Sequence, residues 1–474
     1  MERKERRFDM KEDYKGRFVK LILAIIDVTF VYVGFILTYW VLNLFSIPTV
    51  GGMMDHDRLI VLSASSFFVF YLYDLYTDWR RKSKQHLVYS IILSMVVFSG
   101  FELGISIWTP FLSFQLSFIF AAFLIQTNLL MCIRLCFWLV NKKLFGKKKV
   151  YIIGEDSNMG LYLAGKFLNH NKGWFEISGY IPLTKKGSIH EFVERGDLFL
   201  LSPTINRSDK EEIVRQCIKH GKEIMVIPQL FELSLLGANT LQIDDMLVIS
   251  IKPPRLSVSQ QISKRLFDVI VSLILLVISS PILMALFLLI PLTSKGPALY
   301  RQERIGVNGN PYWIYKFRSM VQDAEKRTGP VLATDKDPRI TVIGRVIRAV
   351  RLDELPQLFN VLKGEMSIVG PRPEREFFIN QFKQELPEYS LRLTVKPGIT
   401  GLGQVLANYT TPVEEKLRFD LLYILNYSFL LDFKILLQTI RVVLQREQAQ
   451  GLKEGIVRKQ QLVKNIDQNK VINH

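Results

Sequence analysis

Four apolar runs fill the first third of the chain, at about 18–42, 58–73, 86–107 and 111–140. Each is near the roughly 17–25 residues that a membrane-spanning helix needs, the second being the shortest. Their flanks alternate in charge. Arg3, Lys4, Arg6, Arg7, Lys11, Lys15 and Arg17 precede the first run, and Arg58 is the one base before the second. Arg80, Arg81, Lys82 and Lys84 follow the second run. Between the third and fourth there is Glu102 and no base, and Lys142, Lys143, Lys147, Lys148 and Lys149 follow the fourth. Lys and Arg concentrate on the cytoplasmic side, so the pattern predicts a four-helix transmembrane bundle over 1–146 with both ends in the cytoplasm. Asp27 lies inside the first span, and Asp74 and Asp78 end the second. An intramembrane acid is a candidate functional group. Pairing with a neighbouring helix is the structural alternative for Asp27, and the preferred one.

The pattern then changes to that of an α/β unit over 147–250. Val150 to Gly154 reads as a short buried strand, with a helical pattern from Leu161 to Phe167. Further strands are expected at 198–201 and 224–227, with a charged helix at 209–221 between them. The alternation predicts a small Rossmann-like, doubly wound fold. The loop from Gly154 to Gly160 lacks the dinucleotide glycine spacing, so a structural or regulatory role is expected of it. Pro253 and Pro254 mark a linker at 251–263, and residues 264–474 form the last unit.

That unit opens on another apolar run, Leu266 to Leu292. Lys264 and Arg265 precede it, and Lys295, Arg301 and Arg304 follow, so both flanks look cytoplasmic. Pro281 near its middle removes one helix hydrogen bond and kinks the helix. Ser279 and Ser280 can satisfy the freed backbone groups. The expected geometry is a re-entrant helix over 264–292, bent at Ser280-Pro281 and returning to the side it entered from. An ordinary kinked spanning helix is the alternative. Residues 420–446 are densely apolar but interrupted by Asp432, Lys434, Gln438 and Arg441, which fits either an interfacial helix or a buried core helix.

Composition narrows the class. The 474 residues are too many for one compact core, and they carry a net charge of +17, a pI near 9.6 and a mean hydropathy of +0.18. Nucleic-acid binders are basic but do not carry long apolar runs, so a lipid bilayer and not a nucleic acid is the expected partner. Cys132, Cys136 and Cys217 show no CxxC spacing, which argues against a zinc site or a disulfide framework.

Candidate chemistry lies in Arg351-Leu352-Asp353-Glu354-Leu355-Pro356-Gln357 and in Gly370-Pro371-Arg372-Pro373. Leu355 to Leu362 is helical in character, with Pro356 suited to a first turn and Gly364 to a C-terminal cap. Asp353 and Glu354 then fall at a helix start, where ionised carboxylates are favoured. Arg345, Arg348 and Arg351 recur every third residue, so a helix would set them along one side. Arg372 is held between two prolines. Carboxylates serve as nucleophiles or Mg²⁺ ligands, and arginines clamp phosphates. Lys316 and Arg318, with Tyr312, Trp313 and Tyr315 nearby, form a second basic cluster on an expected strand, read as further phosphate ligands, with a solvated or lipid-facing basic face as the alternative. The glycines of Lys396-Pro397-Gly398-Ile399-Thr400-Gly401-Leu402-Gly403 could bring backbone N–H groups to a phosphate, though no Walker ending follows.

In this order, Lys264-Arg265-Leu266-Phe267-Asp268, Ser280-Pro281, Gln302 to Gly306, Lys316 to Met320, Thr334 to Thr341, Gly344-Arg345, Leu352 to Asn360, Gly364 to Pro373 and Lys396 to Val405 resemble the bacterial sugar transferase family. These are monotopic polyprenyl-phosphate sugar-1-phosphate transferases. The four spans and the nucleotide-fold domain ahead of them resemble the long form that starts exopolysaccharide or capsule repeat units. Arg351 stands where a small polar residue is usual, and Gly403 where alanine is common. The resemblance implies a UDP-sugar donor (glucose or galactose by family habit), undecaprenyl phosphate as acceptor, Mg²⁺, and an inner-membrane enzyme with its catalytic domain on the cytoplasmic face. It implies Asp353 as nucleophile, Glu354 as Mg²⁺ ligand, and Arg348 and Arg372 as phosphate ligands. A homodimer is compatible with the long form. A non-catalytic scaffold of polysaccharide assembly, or a transferase with its site among spanning helices, are the competing readings.

Overall fold

The computed structural model describes residues 2–46, 56–76, 84–108, 114–145, 147–170, 175–183, 193, 196–243, 246–251, 253–322, 339–408 and 411–445. Asp78, the 80–82 basic cluster, residues 334–338 of the Thr334–Thr341 motif and the tail from 446 lie outside the described residues. The chain parts after Ile227 into two compact units.

In the first unit, α1 (Glu2–Leu44), α2 (His56–Leu72), α3 (Lys84–Trp108) and α4 (Leu116–Phe145) occupy the four apolar runs. The main contacts join α1 to α2 and α4, and α3 to α2 and α4. Val19–Leu44, Lys84–Ile107 and Leu116–Lys143 are long and apolar enough to cross a membrane, whereas α2 contributes a shorter apolar stretch, Leu59–Leu72. Trp40, Val61, Phe68 and Phe120 point outward, as a bundle solvated by lipid requires. Inside, Asp27 meets Arg134 of α4. The Arg134 Nε–H donates to Oδ1 at 3.0 Å and a second guanidinium N–H donates to Oδ2. Both side chains are buried, so the acid in the first span is an interhelical tie. Gly34 leaves room for the Gln126 side chain, whose amide donates to the Val31 carbonyl at 3.0 Å.

The same unit holds a parallel four-stranded sheet, in the order β2-β1-β3-β4. Its strands are β1 (Lys148–Gly154), β2 (Phe175–Pro182), β3 (Leu198–Leu201) and β4 (Glu223–Val226), with α5 (Ser157–His170) after β1 and α6 (Arg207–Lys219) after β3. Ile153, Phe199, Leu201, Ile213 and Cys217 share its core. A Cβ at Gly160 would lie 2.5 Å from the Tyr180 ring, so this glycine makes room for a side chain of β2.

The second unit begins at Pro228, ahead of the boundary expected at 250. The helix α7 (Leu230–Leu236) and the hairpin β5 (Asn239–Ile243) and β6 (Met246–Ser250) therefore belong with the C-terminal half. There α7 packs on α13 (Val413–Leu425), with Gly237 close against Leu425.

The long apolar helix, α8, runs from Val258 to Thr293. It starts inside the expected linker and ahead of Lys264, because Ser257 and Gln260 form a reciprocal capping box. Helical structure continues through Pro281 and Pro291. Pro281 cannot donate to the Val277 carbonyl, and the Ser280 hydroxyl does so instead at 2.8 Å. Val277, Ile278, Met284, Leu288 and Leu292 are exposed, and the helix is long and apolar enough to enter a membrane. Its base is fastened to the unit below. The Lys264 ammonium donates to Asp432 at 2.7 Å and to the Tyr423 hydroxyl at 3.0 Å. Arg265 donates to the Val361 and Leu362 carbonyls, at 2.5 and 2.6 Å, near the end of α10 (Gln357–Lys363). Asp268 accepts from the Ser367 hydroxyl and the Ile368 N–H, both at 2.9 Å.

The core below α8 gathers Ile314, Val361, Met366, Ile368, Tyr423, Ile424 and Ile435, with Ile379 of α11 (Glu376–Glu385). Segment 420–446 splits between α13 and α14 (Phe429–Gln445), and their buried faces make them core helices, the second of the two expected arrangements.

Candidate active site

Three pieces of backbone converge. The first is the hairpin of β7 (Leu299–Ile305) and β8 (Pro311–Phe317), closed by Asn308 and Gly309 in left-handed conformation. It brings in Lys316. The second is α9 (Val342–Ala349), followed by a 3-10 turn over Leu352–Glu354. Thr341 caps α9 by accepting the Gly344 N–H at 3.0 Å, and a Cβ on Gly344 would collide with the Ser319 carbonyl. Gly344 is thus the close contact that seats α9 and its Arg348. The third is the loop Gly370–Pro373 after β9 (Ser367–Val369). It packs on β10 (Gly398–Thr400), parallel to β9 with Thr400 opposite Val369.

Gly370, Gly398 and Gly401 are required at that third junction. Any Cβ there would strike the facing backbone. Gly370 N–H donates to Thr400 O at 2.8 Å, and Gly398 N–H to Pro371 O at 2.9 Å. The glycine-rich segment therefore spends these N–H groups on strand pairing, not on a phosphate. Below it, Arg392 and Asp420 form a buried pair at 2.8 Å, and Arg392 also donates to the Arg372 carbonyl at 2.9 Å. Arg372 is held by its backbone while its side chain is left for the site.

The acids sit on the 3-10 turn, ahead of α10 and not in its first turn. Gly364 closes α10 in the left-handed conformation, as expected. Arg351 is not on α9 either. The helix ends at Ala349 and Arg351 adopts φ 55°, which separates it from the line of Arg345 and Arg348.

The two carboxylates have different surroundings. Glu354 Oε1 accepts from Lys316 at 2.9 Å and from Arg372 at 3.4 Å. Burial opposes its ionisation, but Lys316, Arg372 and Arg351 together outweigh burial and hold its pKa below the usual range. Asp353 is half-buried, and no cation lies within ion-pair distance of it among the described residues. Burial and then the Glu354 charge push its carboxyl up to about 6, against the pull of Lys316 and Arg348. One acid is neutralised and fixed, and its neighbour is free and close to titration.

Asp353, Glu354, Lys316, Arg348 and Arg372 are thus brought together. Arg318 is not. It is buried, and its guanidinium donates to the Ser294 carbonyl at 2.7 Å and to the Lys295 carbonyl, closing the end of α8. Ser280 and Pro281 lie within α8. Sequence reading missed Gln404, whose Oε1 accepts from Arg372 at 3.2 Å and from Arg351 at 3.5 Å. Its position after Gly401 and Gly403 was the available signal. It also missed Arg134, a base inside an apolar run that also faces an acid in another.

Glu354 and Asp353 suit a hard divalent cation that takes one or two carboxylates and completes its shell with phosphate oxygens. Oε2 of Glu354 has no hydrogen-bond partner among the described residues. Among those residues no group of three or more His, Cys, Asp or Glu could hold a metal by itself.

Residues 259–446 match the family model described as bacterial sugar transferase. Over 403 residues the chain is 30% identical to the UDP-glucose:undecaprenyl-phosphate glucose-1-phosphate transferase of Escherichia coli, covering 77% of this chain and 84% of that protein. It is 29% identical to the undecaprenyl-phosphate galactose phosphotransferase of Salmonella typhimurium, over 92% of this chain and 98% of the relative. The UDP-N-acetylgalactosamine-undecaprenyl-phosphate N-acetylgalactosaminephosphotransferase of Aeromonas hydrophila is 45% identical over 184 residues. That match spans 38% of this chain and 43% of the relative, less than half its length. With matched segments spanning the catalytic unit and, in the longer alignments, most of the chain, this protein belongs to the bacterial sugar transferase family.

Proposed function

We propose that the protein transfers a hexose-1-phosphate from a UDP-sugar to undecaprenyl phosphate, giving undecaprenyl-diphospho-sugar and UMP. UDP-glucose and UDP-galactose are the leading donors. The reaction is the first membrane step of an exopolysaccharide or capsule repeat unit. The observation that carries this reading is the unequal pair: Glu354 tied to Lys316 and Arg372, and Asp353 beside it without an ion-pair partner among the described residues.

Asp353 Oδ attacks the sugar-linked phosphorus. The bond from that phosphorus to the oxygen bridging the two phosphates breaks, and the electron pair leaves with UMP. A phosphate oxygen of undecaprenyl phosphate then attacks the phospho-aspartyl intermediate, and the pair of that acyl-phosphate bond returns to Asp353. Covalent catalysis of this kind divides one transfer into two displacements. Lys316, Arg348 and Arg372 hold and neutralise phosphate oxygens, with their own geometry fixed by β8, α9 and the Arg392 contact. Glu354, with Asp353 beside it, would hold Mg²⁺, which when bound neutralises diphosphate charge. Arg318 acts at one remove, by closing the end of α8.

Both flanks of α8 are basic, and its 36 residues reach about 54 Å at about 1.5 Å per residue, well beyond a bilayer core of about 30 Å. A re-entrant course bent near Ser280-Pro281 accommodates that length and keeps the catalytic unit on the cytoplasmic face of the bacterial inner membrane. The soluble donor and the lipid acceptor then meet at one interface.

UMP release from a panel of UDP-sugars, by purified full-length protein with undecaprenyl phosphate and Mg²⁺, tests the reading. Release with one or two hexose donors is expected, and no release with any donor would sink it. The pH dependence follows from Asp353. The carboxyl must be ionised to attack, and a pKa near 6 keeps it protonated further up the scale than usual. The rate of UMP formation should therefore rise about tenfold between about pH 5 and pH 7 and then level. A flat profile across that window would remove Asp353 as the titrating nucleophile.

A further inference from the structure

Arg351 is the one non-glycine residue of the second unit, apart from hairpin Asn308, with a positive φ among the described residues. An arginine in that region is strained, and the strain persists only where the surroundings hold it. This one lies directly before the acid pair. Its guanidinium converges with that of Arg372 on a single neutral acceptor, Gln404 Oε1, at 3.5 and 3.2 Å. Two like charges brought to one amide oxygen are not neutralised by it. Glu354, the acid that faces both, pairs with Arg372 at 3.4 Å but is shared with Lys316 at 2.9 Å, so one carboxylate answers three cations. The Gln404 amide nitrogen is buried with no hydrogen-bond partner among the described residues.

The scaffold holds this arrangement. Gln404 sits on the short helix α12 (Leu402–Leu406), entered through Gly401, which packs on the Gly370 carbonyl. Gly403 lies against Asp420, and the Arg392–Asp420 pair also holds the Arg372 backbone. Arg372 lies 3.4 Å from Glu354, and Arg351 and Arg372 each interact more strongly with Glu354 than with Asp353. In the proposed reaction the attacked phosphorus lies at Asp353, which leaves the donor's second phosphate to the cations that face Glu354.

Resting on the proposed reaction, we infer that Arg351, Arg372 and Gln404 form a clamp for the departing nucleotide phosphate, with Gln404 as the positioning residue that sets the two guanidiniums side by side. Two guanidiniums and an amide N–H offer more donors than one phosphate needs, and their charge answers the charge that gathers on UMP as the phosphorus–oxygen bond breaks.

The test measures UMP binding to full-length protein in nanodiscs by calorimetry, together with the KM for the UDP-sugar and for undecaprenyl phosphate. Arg351→Gly relieves the strained backbone and should leave thermal stability unchanged or higher. It should weaken UMP binding and raise the donor KM about tenfold, with the KM for undecaprenyl phosphate unchanged. Gln404→Glu keeps the shape and both hydrogen bonds but neutralises the clamp, so it too should weaken UMP about tenfold. A merely structural role would survive that replacement. Wild-type UMP affinity in both variants, or an equal rise in the lipid KM, would overturn the clamp. A wild-type protein that neither binds UMP nor releases it from any UDP-sugar would instead sink the transferase reading itself.

Discussion

Asp353→Asn should abolish UMP release, lowering the rate by about 10³-fold or more, while the protein folds and inserts as the wild type does. The substitution keeps the size of the side chain and removes the attacking oxygen. Among the described residues Asp353 makes no ion pair that the amide would break. Removing it also takes away the charge that opposes Glu354, so the fixed acid keeps its Lys316 and Arg372 partners. Loss of the reaction with unchanged thermal stability separates a chemical role from a structural one. A variant that released UMP at the wild-type rate would return the non-catalytic scaffold to consideration. Glu354→Gln should behave differently. It strands Lys316 and Arg372 without their counter-charge, so lost activity there would mix geometry with chemistry.

The second large effect is on stability. Lys264→Met should destabilise the second unit by about 3–5 kcal/mol, because it leaves Asp432 buried and unpaired beside Tyr423. The Lys264 side chain is 6% exposed and that of Asp432 0%, so water cannot repair the loss. Combining it with Asp432→Leu should recover part of the difference, since an apolar pair avoids the stranded charge. The measurement is the temperature at which detergent-solubilised protein loses its native fluorescence, compared at one scan rate, because membrane proteins commonly unfold irreversibly. A single variant as stable as wild type would show that α8 is not fastened through this pair.

Much of this architecture was legible from pattern, and the exceptions have physical causes. The apolar runs stand out by their length, β1 and β3 by consecutive buried apolar residues, and β4 by an apolar stretch directly after a charged helix. β2 was missed because it is an edge strand, where Glu176, Ser178 and Gly179 interrupt the apolar run. The start of α8 was displaced because a capping box at Ser257 does not look apolar. In the site, residue types pointed to Asp353, Glu354, Lys316, Arg348 and Arg372, and the fold gathers them. Spacing alone misled at Arg351, where a left-handed residue ends the helical register, and at Arg318, whose burial against the end of α8 depends on contacts distant in sequence. The glycines of 398–403 read as a phosphate loop because the same residue that frees an N–H also permits close strand packing, and only the fold distinguishes the two.

The most direct test is to incubate the full-length protein with Mg²⁺ and a UDP-sugar labelled in its sugar, with undecaprenyl phosphate left out, and to map the quenched protein by peptide mass. About one sugar-phosphate per chain on the peptide containing Asp353, with matching UMP and discharge on adding undecaprenyl phosphate, is the predicted result. Turnover without any labelled peptide, or UMP formed only when the lipid is present, would contradict a covalent intermediate on Asp353.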